Sequence, residues 1–454
     1  MFFQRITSEG LSHHSYFVSE GGAAVVVDPR RDVDVYLDRA QEQEVKIRWI
    51  LETHRHEDFV SGSCELRERT GARILHGRAQ QFAYGEAARE GQELAVGRLR
   101  IRVIETPGHT AESLTYALID TASGSDPVIA FTGDSLFVGD VGRTDLYGPD
   151  RREELAGWLY DSLMRRIFPL GDGVILAPAH GGGSVCGAGI LDRDESTLGF
   201  ERLHNPRLVD GDRERFIREK ATERLIIPPY FRRMEEYNLQ GPPLLGHLPM
   251  PDPLSPDAFA ELAEGDAVIV DTRMPQAFAG GHVPGSYSIW LQGLPLYAGW
   301  VLPLDRPLLL VTDPETSIER IVRILVRVGY ERVIGYLRGG FEAWQNAGGA
   351  VERTGVATAP EVREMLRKGA VLVDVRNADE WTEGVIDGSL LLDTAELERR
   401  LDEVPKGKPV IAMCSVGRRG SIGASILQRH GFPEVYNFLG GLKTWRKHGY
   451  PVER

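Results

Sequence analysis

Residues 49–59 read WILETHRHEDF, a run of apolar residues of strand type that stops at a cluster of imidazoles and carboxyls. Three further segments have the same design: RVIETPGHT at 102–110, IAFTGDS at 129–135 and ILAPAHGGG at 175–183. Strands that end in ligand-type residues can gather those side chains along one sheet edge, because the loops after them are held by a rigid scaffold. The chain thereby offers His54, His56, Asp58, His109, Asp134 and His180 to one site. Each residue alone has a plain structural explanation, since a single His is commonly a hydrogen-bonded scaffold residue and Gly133-Asp134 is a common turn pair. Four such endings in order make a shared metal site the better explanation.

Working outward, 454 residues exceed what one hydrophobic core organises, and the length points to about three domains. With 42% hydrophobic and 26% charged residues the chain has the composition of a folded globular protein, so disorder is not its default. The net charge of −13 comes without any basic run interleaved with aromatics, which argues against nucleic acid as a partner. The start, MFFQRITSEG, has no basic segment followed by a long apolar one, and no stretch nears the ~20 apolar residues of a membrane span. No membrane partner and a cytoplasmic location are therefore expected. Cys64, Cys186 and Cys414 are odd in number and far apart, so they form no disulfide framework and imply a reducing compartment.

Residues 241–256, GPPLLGHLPMPDPLSP, hold six prolines and read as a linker. Beyond it the sequence repeats itself: VIVDTRMPQAFAGGHVPGS at 268–286 returns as VLVDVRNADEWTEGVIDGS at 371–389, and RGGFEAW at 338–344 as LGGLKTW at 439–445. Each copy reads as strands alternating with helices, the pattern of a small α/β domain with a mainly parallel sheet. A second linker is expected at 346–358, NAGGAVERTGVAT. The domains are thus expected at 1–240, 255–350 and 358–454.

The four strand-end motifs resemble those of the metallo-β-lactamase superfamily, in which HxHxDH, a distal His, a bridging Asp and a final His run in this order; the resemblance covers roughly residues 1–240. Its hydrolytic members, such as glyoxalase II, hold two zinc ions, but here Phe59 stands at the last position of HxHxDH and a benzyl group cannot bind zinc. The departure resembles the persulfide dioxygenase branch. That resemblance implies one Fe(II) per chain on His54, His109 and Asp134, a two-histidine, one-carboxylate set that leaves positions open. It leaves His56, Asp58 and His180 with orienting roles around the metal. Gly142-Arg143-Thr144-Asp145 resembles a GRTD segment of these dioxygenases, with Asp145 as a residue that supports the metal ligands or fixes the loop, and Arg143 in a structural ion pair rather than as a catalyst. Cys186, six residues after His180, is either a sulfur relay or a buried unreactive thiol.

The repeated halves resemble rhodanese domains through Asp271 and Arg273, Asp374 and Arg376, and the closing GG-x-x-x-W at 339–344 and 440–445. Rhodanese chemistry needs a thiolate in a loop at a helix N-terminus, where backbone N–H groups stabilise an anion. In the second copy that loop is Cys414-Ser415-Val416-Gly417-Arg418-Arg419, ahead of a helix expected from near Ser421. Cys414 can carry a sulfane sulfur, Gly417 lets the amides turn inward, and Arg418 and Arg419 supply charge suited to sulfite or thiosulfate. In the first copy Asp313 holds the cysteine position, which leaves that domain without sulfur chemistry.

The fold expected is thus α/β and multidomain, a metallo-β-lactamase αββα sandwich followed by two rhodanese-like α/β domains with parallel sheets. The order is similar to that of bacterial persulfide dioxygenase–rhodanese fusions. What that similarity implies is oxidation of a low-molecular-weight thiol persulfide to sulfite with O₂, then sulfur transfer by Cys414 to give thiosulfate, in a homo-oligomer. The alternative is a zinc-dependent thioester hydrolase of the glyoxalase II kind fused to a sulfurtransferase.

Overall fold

The computed structural model describes residues 1–187, 189–223 and 225–453, which divide into two compact units, Met1–Leu248 with Val326–Gly329, and Pro249–Leu325 with Tyr330–Arg454.

The first unit carries two mixed sheets. One has the order β1 (Phe2–Ser8), β2 (His13–Glu20), β3 (Ala23–Val27), β4 (Lys46–Leu51), β5 (Arg73–His76), β6 (Glu86–Ala87). The other contains β7 (Glu93–Val96), β8 (Leu99–Glu105), β9 (Leu114–Asp120), β10 (Pro127–Gly133) and β11 (Ile175–Pro178), in the order β11-β10-β9-β8-β7. Side chains alternate across a strand, and here both faces are apolar. Val25 and Val27 enter the core between the sheets with Tyr16, Val103, Tyr116 and Phe131. Their neighbours Ala24 and Val26 face outward to pack with Val33, Tyr36 and Leu66. On the other sheet Ala130 and Leu176 lie under Leu159, Leu163 and Ile167 from the helical segment that begins at Arg152. The result is the αββα sandwich. Because β4, β8, β10 and β11 stop at Leu51, Glu105, Gly133 and Pro178, the four motifs fall just past strand ends.

The second unit holds two five-stranded, wholly parallel sheets. The first comprises β12 (Asp252–Leu254), β13 (Val268–Asp271), β14 (Tyr287–Ser288), β15 (Leu308–Val311) and β16 (Val333–Leu337), ordered β12-β16-β15-β13-β14. The second repeats it with β17 (Gly355–Ala357), β18 (Val371–Asp374), β19 (Leu390–Leu391), β20 (Val410–Met413) and β21 (Val435–Phe438), ordered β17-β21-β20-β18-β19. Both linker readings need correcting at their ends, since 252–254 and 355–357 are strands. Each lies at a sheet edge, where a proline such as Pro253 is tolerated because the missing N–H faces outward.

The sequence repeat becomes a structural repeat. Arg273 Nη2 bonds Asp271 Oδ2 at 2.5 Å and the Gly281 carbonyl at 2.9 Å, and Arg376 Nη2 bonds Asp374 Oδ2 at 2.6 Å and the Gly384 carbonyl at 2.9 Å. The indoles of Trp344 and Trp445 donate to the Ala350 and Pro451 carbonyls, each at 2.8 Å. The two modules meet through β14: Ser288 N donates to Ser425 Oγ at 3.1 Å, Ser288 Oγ pairs with Ser421 Oγ at 2.8 Å, and Arg429 stacks on Tyr287 at 4.0 Å. The edge strand of the cysteine-free module thus packs on the helix Arg418–Arg429, which follows Cys414.

The paired glycines ahead of Trp445 have a definite cause. Gly441 has φ +49°, and a Cβ there would lie 1.8 Å from the Cys414 carbonyl oxygen. Gly441→Ala is expected to destabilise the last module by about 3 kcal/mol or more, combining backbone strain with overlap. Gly449→Ala, at φ +68° in open space, should cost only the ~1–2 kcal/mol of a left-handed residue. Urea unfolding of the full chain, followed for each variant, checks the difference.

Candidate metal centre and sulfurtransferase loop

The strand ends bring His54, His56, Glu57, Asp58, His109, Asp134 and His180 together, and all seven are buried. Gly133, at φ +55°, makes the approach possible, because a Cβ there would stand 2.6 Å from Thr53 Oγ1.

The hydrogen bonds around His54 and His109 fix which ring nitrogen is bare. Thr53 Oγ1 donates to the Asp28 carboxylate at 2.8 Å, so toward His54 it can only accept, and His54 Nδ1–H donates to it at 2.9 Å. His109 Nδ1–H donates to the Arg143 carbonyl at 3.0 Å. In both rings Nε2 is therefore the lone pair of the neutral imidazole. His54 Nε2 stands 3.7 Å and His109 Nε2 3.6 Å from Asp134 Oδ2, and none of these three buried atoms has a hydrogen-bond partner. Three acceptors facing one another without a donor are costly in a protein interior, and a cation among them removes the cost. The donor set fits a metal ion.

Asp134 is aimed by His180, whose Nδ1 donates to Asp134 Oδ1 at 2.7 Å while its Nε2 donates to Asp58 Oδ2 at 2.8 Å. Burial opposes charge on this ring, but the flanking carboxylates of Asp134 and Asp58 carry its pKa well above the ordinary histidine value. Burial likewise opposes ionisation of Asp134, and the charge and hydrogen bond of His180 outweigh it, holding the carboxyl far below its usual range. His56 turns to Asp28, with Nε2 3.0 Å from Oδ1, and its ring packs on Phe59 at 4.6 Å. Phe59 also packs on His13 at 4.0 Å. Hydrocarbon thus occupies the last position of the HRHEDF segment.

Arg143 is fully buried, with its Nε 2.7 Å from Asp145 Oδ1 and its Nη2 2.9 Å from Oδ2, and Nη1 donates to the Val185 carbonyl at 3.2 Å. Asp145 therefore reaches the centre only through Arg143, whose carbonyl orients His109. Cys186 is buried beside the cluster, 4.0 Å from Glu57 Oε1; burial first, then Asp58, pushes its thiol well up, so it stays protonated.

The sequence reading passed over several residues that build this centre. Asp28, at the end of β3, is itself a strand-end carboxylate. Asn238 comes from the helix Phe231–Gln240 and holds the HRHEDF loop by donating to the His56 and Phe59 carbonyls, each at 2.8 Å, and accepting from Ser61 N at 2.9 Å. Glu57 lies inside the quoted motif, 3.2 Å from His109 Nε2.

At the other centre Cys414 is buried, follows β20 directly, and receives a hydrogen bond from Gly417 N to Sγ at 3.0 Å. The helix starts at Arg418, three residues before the expected Ser421, so the thiol lies against its first turn. The two loop arginines differ. Arg419 is spent on Glu380, with Nη1 2.5 Å from Oε2 and Nη2 2.7 Å from Oε1, and Ser415 Oγ joins the clamp at 2.7 Å. Burial would raise Glu380, but Arg419 and Ser415 bring it down to about 2. The reading of both arginines as anion receivers is therefore corrected for Arg419. Arg418 is exposed, its guanidinium 5.8 Å above the Trp290 ring of the cysteine-free module. Tyr297 of that module packs at a tilt on Trp290, ring centres 5.4 Å apart; burial pushes its hydroxyl up to about 12 against the opposing charge of Arg419. Asp313, at the corresponding loop of that module, is exposed.

Known proteins agree with this division. A family model for the metallo-beta-lactamase superfamily matches residues 9–180, and one for the rhodanese-like domain matches residues 255–347 and 358–448. The crystal structure of a metallo-beta-lactamase from Staphylococcus aureus subsp. aureus COL is 28% identical and aligns with 74% of this chain and 99% of that one at a TM-score of 0.66. That of ETHE1 from Myxococcus xanthus is 30% identical over 54% of this chain and 100% of its own, with a TM-score of 0.47. A beta-lactamase hydrolase-like protein of Xylella fastidiosa (strain 9a5c) is 29% identical over 244 residues, 49% of this chain and 52% of that protein. The chain spans about half the length of the first relatives it matches. It consists of a metallo-β-lactamase domain with a buried metal-type histidine and carboxylate cluster, followed by two rhodanese-like domains.

Proposed function

We propose that this enzyme oxidises the outer sulfur of a low-molecular-weight thiol persulfide to sulfite at one iron ion held by His54, His109 and Asp134, and that Cys414 then supplies a second sulfane sulfur to give thiosulfate. The observation that carries the reading is the convergence of two bare imidazole lone pairs and one carboxylate oxygen in a pocket whose second metal position is closed by Phe59. Fe(II) bound there supplies redox chemistry with O₂ that zinc lacks, on a ligand set that leaves room for substrate. The protein's own part is to fix both imidazole tautomers, aim Asp134 through His180 and keep bulk water from a fully buried cluster.

The two reactions balance and meet at one species. RSSH, O₂ and H₂O give RSH and sulfurous acid, which ionises to sulfite. The Cys414 thiolate takes the outer sulfur of a second RSSH, which leaves as RSH; sulfite then attacks the outer sulfur of the Cys414 persulfide, the S–S bond breaks, and thiosulfate leaves with the Cys414 thiolate restored. That thiolate is stabilised by the Gly417 N–H and the first turn of the following helix. A zinc thioester hydrolase with two metals is disfavoured, since both nitrogens of His180 are committed to carboxylates and Phe59 offers no lone pair. Tethering raises the effective concentration of sulfite near Cys414.

Replacing His109 by Ala should remove iron and lower persulfide-dependent oxygen uptake by more than the roughly 10–100-fold typical of lost outer-shell partners. Cys414 should still take sulfur from thiosulfate. Retained iron in that variant would refute the ligand assignment. In Cys414→Ser, oxygen uptake should persist while the product shifts from thiosulfate to sulfite, and an unchanged thiosulfate yield would refute the coupling. Because Arg419 is neutralised and Arg418 is not, Arg418→Ala should raise KM for thiosulfate by about 10-fold, the loss of one charge-assisted contact, with a smaller change in kcat. An unaltered KM would show that the anion is received elsewhere.

A further inference from the structure

Glu57, like Arg55, is a member of the HRHEDF segment that the resemblance leaves without a role. Its side chain is fully buried, Oε1 stands 3.2 Å from His109 Nε2 and 4.0 Å from Cys186 Sγ, and Oε2 has no hydrogen-bond partner. His54, Glu57 and His109 by themselves bring ligand atoms close enough to share an ion, as do Glu57, Asp134 and Cys186.

The nature of the Glu57–His109 contact follows from the tautomer. His109 gives its Nδ1 proton to the Arg143 carbonyl, so in the neutral ring Nε2 presents a lone pair to the Glu57 carboxylate, and that nitrogen makes no hydrogen bond. Two acceptors 3.2 Å apart in a dry interior repel unless a positive centre lies between them. Nitrogen and oxygen ligands about 2.1 Å from a common ion stand about 3.0 Å apart at right angles and about 3.4 Å apart at tetrahedral angles. The Glu57–His109 separation falls in that range, and those from Asp134 to the two histidines, 3.6 and 3.7 Å, lie just outside it.

We propose that Glu57 is a fourth protein ligand of the metal, so that this chain holds its ion with two imidazoles and two carboxylates. This rests on the metal centre described above. Two carboxylates balance the charge of a divalent ion. On a six-coordinate ion they leave two open positions where a three-residue set leaves three. Glu57 also places the ion's ligand shell next to the Cys186 thiol, whose S–H can donate to Oε1.

The test uses the full-length protein, stripped of metal and loaded with Co(II), whose visible absorption reports ligand number. Wild type should bind one Co(II). Glu57→Gln should bind it at least 10-fold more weakly in chelator competition and with a changed visible spectrum, while its thermal unfolding without metal stays near that of wild type. Glu57→Asp keeps the charge on a shorter stem and should restore neither affinity nor spectrum, which separates coordination from a nearby charge. Wild-type affinity and spectrum in Glu57→Gln, or full restoration by Glu57→Asp, would overturn the proposal while leaving the three-ligand centre standing. If Glu57→Gln does not fold, the Glu57→Asp spectrum decides alone. Two Co(II) ions in wild type, or Co(II) retained by His109→Ala, would instead overturn the centre itself.

Discussion

The metal-type centre depends on proton placement more than on distance. A histidine is a ligand only through a nitrogen that carries no proton, and in a buried site the other nitrogen decides which one that is. Asp28 consumes the Thr53 hydroxyl proton, so Thr53 must accept from His54; the Arg143 carbonyl can only accept from His109. Both lone pairs are then committed to the same small volume beside Asp134. Without a cation that volume would hold several desolvated acceptors, each costing on the order of 1–3 kcal/mol when left unpaired. The surrounding fold exists to maintain this arrangement: β3 and β4 present Asp28 and Thr53, and the buried Arg143–Asp145 pair fixes the carbonyl that orients His109.

The same logic underlies the proposed reading of a single metal. Asp58 and His180 are present, as the sequence pattern of such enzymes asks, but they are bonded to each other and His180 is bonded on to Asp134. Phe59 packs against His56 and His13 where a further imidazole would have completed a second ion's shell. Under that reading Phe59 leaves His56, Asp58 and His180 as scaffolding.

Much of this was legible in the sequence because it lives in local patterns. Strand-like runs ending in His or Asp announce a sheet-edge cluster, and a hundred-residue repeat with paired glycines announces two related modules. What was not legible depends on which side chain meets which across long separations. Arg418 and Arg419 are adjacent in sequence, yet only the second finds Glu380, 39 residues away. Asn238 fixes a loop 179 and 182 residues distant, and nothing in its own helix marks it. Glu57 was hidden for the opposite reason, lying among the familiar ligand-type residues His54, His56 and Asp58. The two linker ends were misread because edge strands admit proline and need few residues. The cysteine-free module sets Trp290 under Arg418, so its contribution shows only in the assembled unit.

The central claim is a single redox-active ion among His54, His109 and Asp134. Crystals grown without oxygen and measured at the iron and zinc absorption edges test it most directly. The account predicts one anomalous peak per chain, at the iron edge, among those three side chains. Two zinc peaks bridged by Asp134, with Asp58 and His180 drawn apart to bind the second, would contradict it.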